Sequence, residues 1–258
     1  MKALLRFYLA LVYVFMYLPI AVVALFSFNN SEMIAFPLTG FTAGWYVQAI
    51  GDARLLHGLG ITFLVAIPTA LIATVLGGMA ALALTRYRFP GKAAFAAMLV
   101  VPFFIPKIII AVADVIALAE FRLPHSTLTM VVAQSLIVLP FSAMVIASVL
   151  VRLDRKLEEA AQDLGATGWQ VFRYVLLPLM RNGLMAAYFL AFVISSSEYV
   201  VTSFVSGRAQ PLSILVASDF RFHLSPKLNA LATMIVAMNV AIIAASEVLR
   251  RRARGVLA

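Results

Sequence analysis

The chain of 258 residues is 64% hydrophobic and only 12% charged, with a mean hydropathy of +1.02 and a formal net charge of +9. A soluble domain is nearer half apolar and about a quarter charged, so this is the balance of a polytopic membrane protein. The absence of cysteine excludes disulfides and thiolate metal sites, and the basic excess reads as cytoplasmic loops, not a nucleic-acid surface, because it falls at helix ends without interleaved aromatics.

A bilayer crossing takes about 20 apolar residues, and six stretches qualify. The first, Leu5–Phe28, follows MKALLR, a start that looks like a signal peptide. Its apolar run exceeds the usual length of about 7–15 residues and no small-x-small cleavage site follows, so it is expected as a retained span. The second, Leu55–Tyr87, is longer than one bilayer thickness and is expected to tilt or project. The third, Ala93–Leu118, holds Pro102, Pro106 and Lys107; prolines free backbone carbonyls and predict a kink or break. The fourth, Leu128–Val151, is uncharged and holds Pro140; the fifth is Asn182–Val205 and the sixth Leu228–Leu249. With the N-terminus inside, fourteen Lys and Arg residues fall on inner segments and five on outer ones, with Lys107 inside a span. That bias puts both termini in the cytoplasm. The expectation is an all-α integral membrane protein of six transmembrane helices, with short loops, no internal repeat and no second soluble domain.

The longest loop, 152–181, then lies on the cytoplasmic side and contains EEAAQDLGATGWQVFRYVLLP at 158–178. Leu157, Ala160, Ala161 and Leu164 share one helical face, with Glu159 and Asp163 on another. Gly165 is placed as a helix-ending glycine. Trp169, Phe172 and Leu176 predict a second helix that ends at Leu177-Pro178. A helix lying on the bilayer surface would show large apolar and basic residues. Small alanines and acids fit close approach by a soluble protein partner instead.

Glu159-Ala160-Ala161, Gly165, Val175 and Leu177-Pro178, at this spacing, resemble the EAA loop of bacterial ABC-importer permeases; Ile is the more usual residue where Val175 stands. FTAGWY at 41–46, ALTRYRFPGK at 83–92 and the stretch 197–230 resemble the spermidine/putrescine subfamily, in particular its second permease subunit. The resemblance covers most of the chain. It implies a type I importer permease: an N-terminal transmembrane helix at 1–28, and a core of five helices at 55–250 that includes the coupling loop 152–181. It also implies that this loop forms a coupling helix on an ABC ATPase. The implied partners are two ATPase subunits, a second homologous permease, a periplasmic substrate-binding protein and the bacterial inner membrane. No G-x-x-x-x-G-K-[ST] loop is present, since Arg86 stands where the first glycine belongs and Ala93 follows Gly91-Lys92. ATP and magnesium therefore belong to the separate ATPase, and no cofactor and no catalytic residue is expected in this chain.

Ionisable groups inside a span are costly and mark a pathway. Lys107 and Glu198 lie at similar depth, roughly 21–24 Å from the cytoplasmic ends of their spans at about 1.5 Å per residue. Either they pair and lock two helices, or they meet substrate. Asp114 is expected about 10 Å further out, near the outer mouth. Ser195, Ser196 and Ser197 suit helix packing or the pathway. Glu198 is similar to an acidic position of the polyamine permeases, which suits a spermidine- or putrescine-like cargo. Lys107 departs from that pattern, since the residue after this proline is more often acidic there. It keeps open a zwitterionic or anionic cargo such as 2-aminoethylphosphonate or an opine. His57, His125 and His223 show no metal spacing, and no H-E-x-x-H or G-x-S-x-G occurs. The outer stretch 206–226, with Leu212, Ile214, Leu215 and Val216, is a binding-protein contact, an outer gate or a packing segment. An ion-coupled secondary transporter is the rival class; it predicts inverted repeats and no docking loop.

Overall fold

A computed structural model describes residues 2–32, 35–222 and 225–255, and among these the chain is helical apart from the connections between helices and one isolated bridge. Four helices are long and apolar enough to cross a membrane, and a broken helix pair makes a fifth crossing if it counts as one. The chain divides into two compact units, residues 1–59 with 215–241, and residues 60–214 with 242–258.

In the first unit, α1 (Lys2–Phe26) covers most of the first expected span. It is apolar on every face, and only 6% of its most apolar window is buried. A helix of that kind is stable only against lipid or another protein. Its C-terminal end is tied by Trp45 Nε1 donating to the Asn29 carbonyl at 2.7 Å and by a 2.6 Å bond between Ser27 and Tyr46, which hold α2 (Gly44–Gly51) in place.

The second unit is built round α6 (Thr127–Leu150), which buries twelve side chains. Ser126 and Thr129 form a reciprocal capping box at its start. The long helix α3 (Ala53–Arg86) contributes Val65, Ala66, Ala70, Ala73 and Ala81 to three apolar clusters against α6 and its neighbours. These small residues let helices approach closely where no hydrophobic effect drives them together. At 34 residues α3 is about 51 Å long, more than the hydrocarbon thickness, as its sequence leads one to expect.

Two expected spans are not single helices. The third is α4 (Lys92–Val100) with a 3-10 turn at Val101–Phe103, followed by α5 (Lys107–Glu120), and the two parts meet at 103°. Pro102 and Pro106 fall at the turn and the break, and neither can donate a backbone hydrogen bond. The fifth begins earlier than Asn182 and ends earlier than Val205. The helix does not stop at Leu177-Pro178: α8 (Gly168–Val171) continues through a π-turn at Phe172–Leu176 into α9 (Leu177–Ser196). The wide turn absorbs Pro178, which falls in the first turn of α9 where its missing N–H is no loss. The break comes instead at Ser197–Tyr199, before α10 (Val200–Val205). Ser196 and Ser197 hydroxyls donate to the Val193 carbonyl at 3.0 and 2.9 Å, the local competition that bends helices. Then follow α11 (Leu212–Phe222) and α12 (Pro226–Gly255); α12 runs over the residues expected as the sixth span but is not one of the helices that, among the described residues, are long and apolar enough to cross a membrane.

Candidate functional site

The loop 152–181 places α7 (Lys156–Asp163) where the sequence pattern sets it. Gly165 takes φ +84, a left-handed conformation that costs other residues about 1–2 kcal/mol. Gly165 N–H donates to the Gln162 carbonyl at 2.8 Å and Ala166 N–H to Ala161 at 3.0 Å, so the end of α7 is a Schellman motif. Thr167 and Gln170 then cap α8 reciprocally. Glu159, Ala160 and Gly165 are exposed, Ala161 is half-buried, and Leu164 stands 90% exposed at the helix end. Val175 and Leu177 are half-buried and Pro178 is exposed.

Contacts with the end of α3 fix this helix. Arg86, the last residue of α3, brings Nε to 2.6 Å from Glu158 Oε1, with both side chains largely buried. Arg155 donates to the Thr85 carbonyl at 2.5 Å, and Arg86 Nη2 to the Leu153 carbonyl at 3.3 Å. Cations here also meet the negative end of the α3 dipole. A hollow of about 510 Å³ opens beside these groups, lined among others by Tyr87, Glu159, Trp169 and Phe172. The sequence offered only one cue, the paired Glu158-Glu159, since Arg86 lies far away along the chain.

The second constellation sits at the two helix breaks. Lys107, first residue of α5, places Nζ 2.5 Å from Glu198 Oε2. Glu198 lies in the gap before α10, its side chain 3% exposed, and its other oxygen accepts the Val201 N–H at 3.1 Å. The Glu198 carbonyl accepts from Ser213 at 3.0 Å. Lys107, by contrast, is 49% exposed. The gap is bridged within the core by Gln134 of α6, whose Nε2 donates to Thr202 at 2.7 Å and whose Oε1 accepts from Ser195. In the sequence Gln134 stands out as a polar residue in an apolar span. Ser195 thus packs, while Ser197 is exposed. Asp114 is half-buried and lines a separate 340 Å³ cavity of mostly apolar residues with Ser126 and Thr129; its Oδ2 has no hydrogen-bond partner. Among the described residues no three His, Asp or Glu side chains gather as metal ligands; His223 lies outside the described residues.

Four long apolar helices, together with helices broken at an ion pair, have the build of a membrane protein. Residues 73–255 match the model of the binding-protein-dependent transport system inner membrane component. The chain belongs to that family, and it is a permease subunit of a binding-protein-dependent ABC importer, in which ATP is hydrolysed by a separate ATPase. It is 35% identical over 236 residues to the putrescine transport system permease protein PotI of Escherichia coli, covering 88% of this chain and 84% of that one. It is 30% identical over 245 residues to the spermidine/putrescine transport system permease protein PotC of the same organism, covering 95% and 92%. Its fold is similar to that of a bacterial alginate ABC transporter, with TM-score 0.72 at 14% identity and 97% and 93% of the two chains covered. It is also similar to that of an amino acid ABC transporter, with TM-score 0.63 at 18% identity and coverage of 80% and 98%.

Proposed function

We propose that this chain is the second permease of an importer whose cargo is a small aliphatic amine of the polyamine class, taken from a periplasmic binding protein. The similarity to putrescine and spermidine permeases supports the cargo. The observation that carries the mechanism is α7, a helix capped at Gly165, bare at Leu164 and welded to α3 through Glu158 and Arg86. In this reading six spans cross the inner membrane with both termini in the cytoplasm, as the arginine and lysine distribution favours. Residues 1–28 form the N-terminal helix and 55–250 the permease core. Glu159, Ala160, Ala161 and Gly165 dock into an ATPase, with Val175, Leu177 and Pro178 supporting them from the following helix.

Closure of the ATPase dimer on ATP moves α7, and the spans open outward to take cargo; hydrolysis reverses the motion. Lys107, Asp114, Ser197 and Glu198 line the path. A second permease completes the pore, and a homologous partner fits the resemblance to paired subunits. The Lys107 cation favours a second cargo class, a zwitterionic amine such as 2-aminoethylphosphonate or an opine. Reconstitution with the co-encoded ATPase, permease and binding protein tests this. Uptake of labelled putrescine into liposomes supports the first class, uptake of 2-aminoethylphosphonate alone supports the second, and ATP-driven uptake of neither sinks the amine assignment.

A further inference from the structure

We propose that Lys107 is a tethered substitute for the cargo: in the empty permease its ammonium occupies the carboxylate of Glu198, and the cargo ammonium exchanges with it. The inference rests on the amine reading of the cargo given above.

The asymmetry of the pair carries it. Glu198 is 3% exposed and held at fixed points, with Oε1 on the Val201 N–H and its backbone carbonyl on Ser213. A carboxylate buried to this degree needs a cation or several donors, and losing its partner is strongly destabilising. Its other oxygen, Oε2, is met by the Lys107 ammonium. Lys107 is 49% exposed, on a long side chain that regains rotamer freedom when released. The two ends of the bridge differ: the carboxylate is buried and accepts a second hydrogen bond, whereas the ammonium is half exposed. A primary alkylammonium presents the same three donors as lysine. It therefore replaces Lys107 without leaving the carboxylate unpaired, which an anion without an amine cannot do.

The exchange has a mechanical consequence. Lys107 stands at the first residue of α5, after the 103° break, and Glu198 stands at the break before α10. The bridge thus staples one broken span to the other. Cargo that takes Glu198 opens the staple, and because it binds the opened state it shifts the population toward it. Lys107 thereby keeps the empty importer idle and sets the requirement for an amine.

The test uses the whole importer in liposomes, with ATPase rate measured with and without binding protein and uptake measured with putrescine and 2-aminoethylphosphonate as probes. Lys107→Met is expected to raise the ATPase rate without binding protein roughly tenfold, the factor that about 1.4 kcal/mol carries. The exchange of charges, Lys107→Glu with Glu198→Lys, is expected to return that rate to the wild-type level while uptake of both probes is lost, because the fixed carboxylate is gone. An unchanged rate in Lys107→Met, or wild-type uptake by the charge-exchanged importer, overturns the proposal and leaves a structural bridge. If Lys107→Met does not assemble, Lys107→Arg replaces it. Its planar fork grips carboxylates in two places and is expected to raise KM for uptake with the idle ATPase rate kept low; an unchanged KM refutes the exchange. Should the wild-type importer carry neither probe, the amine reading falls, while the idle rate of Lys107→Met still judges the staple.

Discussion

Two adjacent glycines in α3 give a test in which one cancels the other's complications. A methyl group on Gly77 would stand 2.8 Å from the Ala143 backbone nitrogen and 2.9 Å from Ser142 Cβ on α6, distances that backbone atoms cannot relieve cheaply. On Gly78 the nearest atoms are the side-chain carbons Ile146 Cδ1 and Leu184 Cδ2 at 3.6 and 3.7 Å, ordinary contact. Both Gly→Ala changes gain the same helix propensity, about 1 kcal/mol, so the difference between them isolates the packing. Overpacking of a close contact costs about 1–3 kcal/mol. At roughly 2–4 °C per kcal/mol for a chain near this size, Gly77→Ala should melt roughly 2–12 °C below Gly78→Ala. The assay is thermal unfolding of the purified importer in detergent, followed by a fluorescent reporter. Equal melting temperatures would show that α3 and α6 do not approach backbone to backbone at Gly77, and would refute the helix packing on which the core of the second unit rests.

Glu158→Gln leaves the Arg86 guanidinium largely buried beside a neutral group; uptake is expected to fall roughly tenfold, the factor that about 1.4 kcal/mol carries, with the ATPase still bound, and co-purification with ATPase assays separates the two effects. Gly165→Ala should lower uptake and stability by about 1–2 kcal/mol, while Gly165→Asn, whose side chain tolerates the left-handed conformation, should lose less; equal losses would remove the conformational explanation. The hydrogen bond from Lys227, 2.6 Å from Asp52 Oδ2, holds the Asp52 carboxyl below its usual range, helped by the Lys227 charge and the Leu55 and Arg54 amides and opposed by partial burial. A lowered folded-state pKa stabilises above the unfolded value of about 3.9 and loses that contribution as pH falls through the folded value. The melting temperature of the wild type should therefore exceed that of Asp52→Asn by a constant margin from neutral pH to about pH 5, and the margin should shrink below about pH 4. A margin that grows on acidification would reverse the sign and defeat the assignment.

The surface helix was legible because its signals are local. Ala160, Ala161 and Leu164 follow a helical period, and Gly165 sits where a helix must end, so the pattern and the Schellman cap agree. The pairing of Lys107 with Glu198 was half legible: counting residues gives equal depth, but not that both side chains fall at helix breaks. The first break was marked by Pro102 and Pro106. The second was not, because serine hydroxyls and a carboxylate end α9 without a glycine or proline, and an apolar run reads straight through them. Pro178 misled in the other direction, since a π-turn just before it lets the helix continue. The Arg86–Glu158 weld joins segments far apart in sequence and has no periodic signature, so only the fold brings it into view.

The proposed contact of α7 with the ATPase, moving with its nucleotide state, is open to direct crosslinking. The chain has no cysteine, so Ala160→Cys provides a single exposed thiol on α7. Single cysteines placed along the rim of an otherwise cysteine-free ATPase, a short bifunctional thiol reagent and native membranes complete the measurement, made with and without ATP. A crosslinked band whose yield changes with ATP is the expected result. No band from residue 160, while a cysteine at the C-terminal end of the same chain labels normally, would contradict that contact and reopen an ion-driven mechanism.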